Sequence, residues 1–80
     1  MPDCVIVTVQ NENRGWQFDM ELPAQVPYAN FQNEMLMALS QMLGRNLQGN
    51  RLFVGRTEIT RQMTLTDAGV RDASILTLKG

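Results

Sequence analysis

The spacing of hydrophobic residues changes period along this 80-residue chain, and the changes mark its elements. Residues 4–9, Cys-Val-Ile-Val-Thr-Val, are dominated by β-branched side chains, which suit a pleated strand and resist helix through their stiff χ1. After a polar loop from Asn11 to Gly15, the apolar Trp16, Phe18, Met20 and Leu22 alternate with Gln17, Asp19 and Glu21. That period of two predicts a second strand and a hairpin, with Gly15 as the place for a positive φ or a bulge. Pro23 and Pro27 bracket a short connection, and Pro27 suits the first turn of a helix. From there Tyr28, Phe31, Met35, Ala38, Leu39 and Met42 fall on one helical stripe, with Leu36 and Leu43 at its margin. Asn30, Asn33, Glu34, Met37 and Gln41 take the other side, and Gly44 supplies the stop.

The remainder is shorter in its rhythm. A loop with Gly49-Asn50 leads to a strand at Arg51-Leu52-Phe53-Val54, and Gly55-Arg56 turns the chain into a second extended piece around Thr57 to Ile59. Met63 to Val70 is broken by Gly69 and reads as one helical turn, and Ile75, Leu76 and Leu78 mark a final strand within Ser74 to Lys79. The expected class is α+β: a mixed sheet of four to five strands, one helix across one face, and the last strand parallel to the first. In the Met63 to Val70 turn, Leu65 and Val70 would anchor both ends in the core, while Thr66 or Asp67 accepts hydrogen bonds from its free amides. Asp67 is thus read as a cap and not as a catalytic acid.

Strict alternation assigns the faces. If Val5, Val7, Val9, Leu52, Val54, Leu76 and Leu78 point inward, then Ile6, Thr8, Arg51, Phe53, Thr77 and Lys79 point outward. The helix covers one side only, so Ile6 and Phe53, edged by Arg51 and Lys79, form the candidate recognition surface. An aromatic beside an arginine has the composition of a binding hot spot. Met37, on the polar side of the helix, is a further candidate contact, because a flexible thioether adapts to varied partners. Met35 and Met42 read as core filler, Cys4 as a small buried or half-buried, inert residue, and Trp16 as packing at the core margin.

Composition then removes most chemistry. Forty-four per cent apolar and nineteen per cent charged residues give an ordinary globular balance with enough apolar side chain for a core. There is no histidine, so no imidazole base, Ser-His or Cys-His pair, or His-containing zinc site is available. One cysteine excludes an internal disulfide, a CxxC pair and any multi-thiolate metal site. Seven basic against eight acidic residues leave no excess to neutralise phosphates, so nucleic acid is not an expected partner. Gly44 and Gly49 have the spacing of a phosphate-cradling loop, but Asn50-Arg51 stand where lysine and a hydroxyl are required, and a helix precedes instead of a strand. No apolar run is long enough to span a bilayer and the amino terminus lacks signal-peptide order. Expected are a cytoplasmic chain without direct membrane insertion, no catalytic, cofactor or metal site, and one domain over residues 1–80.

The run Arg51-Leu-Phe-Val-Gly-Arg-Thr-Glu-Ile, then Met63-Thr-Leu-Thr-Asp-Ala-Gly-Val, then Arg71-Asp-Ala-Ser-Ile-Leu-Thr-Leu resembles the ubiquitin-like β-grasp superfamily in order and spacing. The residues before it agree in element order and pattern, with a longer helix than in ubiquitin. The resemblance implies that the sheet's outer face carries the recognition patch, with Phe53 at its central position. Conjugated or sulphur-carrying members end in an exposed diglycine arm, whereas this sequence stops at Leu78-Lys79-Gly80. A small, tail-less ubiquitin-like protein resembles the YukD/EsaB accessory proteins of bacterial type VII secretion, which implies a non-catalytic docking module with a protein partner, a membrane-bound secretion component among the candidates. The alternatives are a modifier or sulphur carrier lacking the usual tail, and the ubiquitin-like domain of a larger membrane secretion protein. Oligomeric state is not read from the sequence.

Overall fold

The computed structural model describes residues 3–47 and 51–80. The elements are β1 (Cys4–Asn11), β2 (Gln17–Pro23), α1 (Tyr28–Leu43), β3 (Arg51–Val54), β4 (Thr57–Ile59) and β5 (Ile75–Lys79). The five strands form one mixed sheet in the order β2-β1-β5-β3-β4. Parallel pairing occurs between β1 and β5, with Val9 opposite Leu76, and the other neighbours are antiparallel. This is the ubiquitin-like β-grasp arrangement expected from the sequence. The two central strands supply Val5, Val7, Val9, Leu76 and Leu78 to the core, and α1 closes over them with Tyr28, Phe31, Met35 and Leu39. No polar or charged residue is buried among the described residues. Each fully buried leucine or valine contributes about 1.5–3 kcal/mol relative to leaving it in water.

The helix begins without a side-chain cap. Its first amides are instead taken by a distant loop: Tyr28 N–H donates to the Met63 carbonyl (2.8 Å) and Ala29 N–H to the Arg61 carbonyl (3.0 Å). Since a helix leaves four amides unpaired at its start, these long-range bonds do the work of a cap. At the other end Gly44 takes φ 71°, a left-handed conformation that costs glycine little, and its N–H donates to the Ser40 carbonyl. The Ser40 hydroxyl donates to Leu36 O (2.7 Å) and accepts from Leu47 N–H (3.0 Å), tying the departing chain back to the helix.

The 63–70 turn is fixed as its sequence suggested, with Leu65 and Val70 buried. Thr64 N–H donates to the Asp67 carboxylate (3.2 Å) and Asp67 N–H donates to Thr64 Oγ1 (2.9 Å), a reciprocal cap. Of the two acceptors the sequence offered, Asp67 takes the turn amide, while the Thr66 hydroxyl donates to the Ala24 carbonyl (3.0 Å) and pins the β2–α1 connection.

Several expectations need correction. Met42 is 48% exposed, not core filler, because burial in α1 ends at Leu39 and the last turn projects past the core. Cys4 is exposed, since the alternation that sends Val5 inward sends Cys4 outward. Pro27 is the residue preceding the helix, at φ −59° and ψ 145°, and forms an isolated bridge with Thr64. In the hairpin, the positive φ falls on Arg14 (58°), while Gly15 N–H donates to Asn13 Oδ1 at 2.9 Å. A Cβ on Gly15 would stand 3.0 Å from that same oxygen, so glycine serves the close approach. Gly49 and Asn50, and with them the second glycine of the Gly44–Gly49 spacing, lie outside the described residues.

Candidate protein-docking face

The register places the outward residues in rows across the strands. One row runs Gln17, Gln10, Thr77, Phe53, Glu58 from β2 to β4, and the next along the strands contains Asp19, Thr8 and Ile75. Beyond these, Ile6 pairs with Glu21, and Arg51 pairs with Lys79. The face therefore changes from acidic on β2, through apolar in the middle, to cationic around Phe53.

Phe53 is half-buried although no helix covers it, because two cations lie over its ring. Arg51 Cζ is 5.2 Å and Lys79 Nζ 4.6 Å from the centroid. Such contacts are worth about 0.5–1 kcal/mol each at exposed sites. Arg51 is held in place by Glu58 in a two-pronged pair, Nη2 to Oε1 at 2.7 Å and Nε to Oε2 at 3.0 Å. The hydrogen bonds and charge of this pair push the Arg51 pKa up and the Glu58 pKa down. Lys79 has no ion-pair partner among the described residues, so its charge is available above the ring.

Ile6 and Phe53 do not touch. They are separated by two strand spacings, about 10 Å, and by four residues along the strands, about 13 Å. The residue between them is Ile75, 55% exposed like Ile6, which lies diagonally next to both. Ile75 is not among the face residues expected from the sequence, although the alternation that sends Leu76 inward sends it outward. Two hydrogen bonds tie this region together: Ile6 N–H donates to the Asp72 carboxylate Oδ1 (2.9 Å), and Ala73 N–H donates to the Ile6 carbonyl (2.8 Å). Ala73 holds φ 71°, a conformation unfavourable for a residue with a Cβ.

Met37 stands apart from the other four predicted residues. It is 62% exposed on the solvent side of α1, where Gln32, Leu36, Gln41 and Leu47 help line a shallow depression. Trp16 packs on the core margin as expected and stacks on Phe18 at 5.8 Å. On the opposite side of the sheet from Phe53, Tyr28 buries its hydroxyl without a hydrogen-bond partner among the described residues. Burial pushes its pKa up to about 12, against smaller opposing effects of the Gln32 side chain and the Arg61 charge. Among the described residues no cluster of acids and cysteine is placed to hold a metal, and no helix is long and apolar enough to cross a membrane.

Comparison with known proteins places this geometry. The ubiquitin-like domain of the Mycobacterium tuberculosis type VII secretion system protein ECCD1 superposes with a TM-score of 0.79 at 28% identity, over 100% of both chains. A designed protein based on ubiquitin superposes with a TM-score of 0.73 at 15% identity, over 99% of this chain and 90% of the other, a likeness of fold alone. No match was found among curated protein sequences. A family model described as WXG100 protein secretion system (Wss), protein YukD, matches residues 4–78. That match spans nearly the whole sheet and the helix, and the chain belongs to the YukD family.

Proposed function

We propose that the chain is a non-catalytic docking module of a type VII secretion system: one cytoplasmic domain over residues 1–80 whose outer sheet face binds a protein component of the machinery, a membrane-bound one. The observation that carries this reading is the Phe53 ring held beneath Arg51 and Lys79, continued by exposed Ile75 and Ile6. An aromatic with cations over it, beside apolar side chains, gives a partner both area to bury and charges to match. The absence of histidine and of paired nucleophile and base in the sequence supports a binding role over an enzymatic one. Similarity to the ECCD1 ubiquitin-like domain over its full length supports a second reading, in which the same face acts within a larger secretion protein.

Crosslinking in the native host, with capture of the wild-type chain and of Phe53→Ala, tests the assignment. Recovery of a membrane secretion component that disappears with Phe53→Ala is expected. Recovery of an adenylating enzyme, or of a covalent adduct through Gly80, would move the protein to the modifier class.

A further inference from the structure

The β2 edge of the sheet has a separate character from the Phe53 face. β2 is terminal in the strand order and seven residues long, so every second backbone N–H and C=O along it points away from the sheet. Between this edge and α1 lies a depression of about 170 Å³ lined by Met20, Leu22, Phe31, Met35 and Ala38, with Glu21 and Glu34 at its rim. The volume is below the ~300–1,000 Å³ of small-molecule sites and suits the side chains of a strand laid along the edge.

Charge selects the occupant. β2 and α1 together carry Asp19, Glu21 and Glu34 and no basic residue, while all seven basic residues of the chain lie elsewhere. A net charge of −1 thus conceals an entirely acidic flank. We propose that the β2 edge accepts an extended segment of a partner protein in which apolar residues alternate with lysine or arginine. The segment adds a sixth strand beside β2: its inward side chains enter the Met20–Phe31–Met35–Ala38 groove, and its outward side chains lie against Asp19 and Glu21. A second copy of this chain fits poorly, because two-fold pairing of β2 with β2 brings the Asp19 and Glu21 carboxylates of both copies onto one face.

The test is an NMR titration of the 80-residue chain with a lysine–valine alternating peptide, a glutamate–valine peptide as its counterpart, and the variant Glu21→Lys/Glu34→Lys, both of whose sites are exposed. Expected are shift changes confined to β2 and residues 31–38, slowed exchange of β2 amides, and binding about tenfold weaker in the variant, as two reversed surface charges imply. The proposal is overturned by equal binding of the glutamate–valine peptide, by shifts that spread over the surface without β2 protection, or by no binding. Protection of β2 on raising the protein concentration alone would also overturn it, by making the second copy the occupant.

Discussion

The two faces of the sheet use the same strands and the same alternation, and they meet solvent in opposite ways. On the inner face, Val7, Val9, Leu52, Leu76 and Leu78 pack under α1 with the Tyr28 hydroxyl as the buried polar side-chain atom lacking a partner among the described residues, so apolar packing dominates there. On the outer face, apolar residues are spaced apart, and the largest of them, Phe53, is screened by cations in place of a hydrophobic layer. Adjacent residues in β5 show the contrast most sharply, since Leu76 is fully buried and Ile75 is 55% exposed. Stability is therefore concentrated on one side of a layer one residue thick, and the other side contributes little to it.

Substitutions can break this comparison, beginning with that pair. Leu76→Ala should cost about 2–5 kcal/mol in a denaturant melt, as a core truncation does, and Ile75→Ala within about 0.5 kcal/mol as a surface change. Equal losses would show the register of β5 to be wrong. Phe53→Ala, which gives up its contacts with the two cations, is expected to lose about 1 kcal/mol while leaving the fold intact. A loss matching Leu76→Ala would place Phe53 in the core. Changing Ala73 to Gly relieves a left-handed backbone conformation beside Ile6 and should raise stability by about 0.5–1 kcal/mol in the same assay. No gain would mean that the conformation at this position is not strained. The smallest effect at neutral pH comes from Tyr28, the single tyrosine, whose phenolate absorbance should appear at a pKa of about 12 instead of 10.0. Because the folded pKa is raised, the stability linked to the neutral hydroxyl is complete below pH 10.0 and is lost as pH rises through about 12. A midpoint at the ordinary value would show that its hydroxyl reaches water.

Much of this was legible from local pattern. The change from period two to period 3.6 located β2 and α1, and Gly44 marked the helix end to the residue. The same helical spacing misled at Met42, because a wheel extends an apolar stripe without regard to where the opposing sheet stops. Alternation contained the answers for Cys4 and Ile75, which follow from the inward placement of Val5 and Leu76. The Arg51–Glu58 pair and the position of Lys79 over Phe53 were not legible, since they depend on how β3 registers with β4 and β5, which no local spacing encodes. The ubiquitin-like fold was legible through resemblance in the residues of the 63–70 turn and its flanking strands, whereas the secretion family rested on small size and overall pattern and is shown by the family match over residues 4–78.

The loop carbonyls that cap α1 have a consequence for how the molecule forms and opens. Met63 and Arg61 are more than thirty residues beyond the amides they accept from, so the first turn of the helix cannot be completed by its own sequence. Early in folding, that turn is expected to fray until the carboxy-terminal part of the chain arrives, which couples a local element to a long-range contact. In the native protein Tyr28 and Ala29 are then expected to exchange only when the 61–63 loop lifts off, and so more slowly than the fraying amides of an ordinary helix terminus.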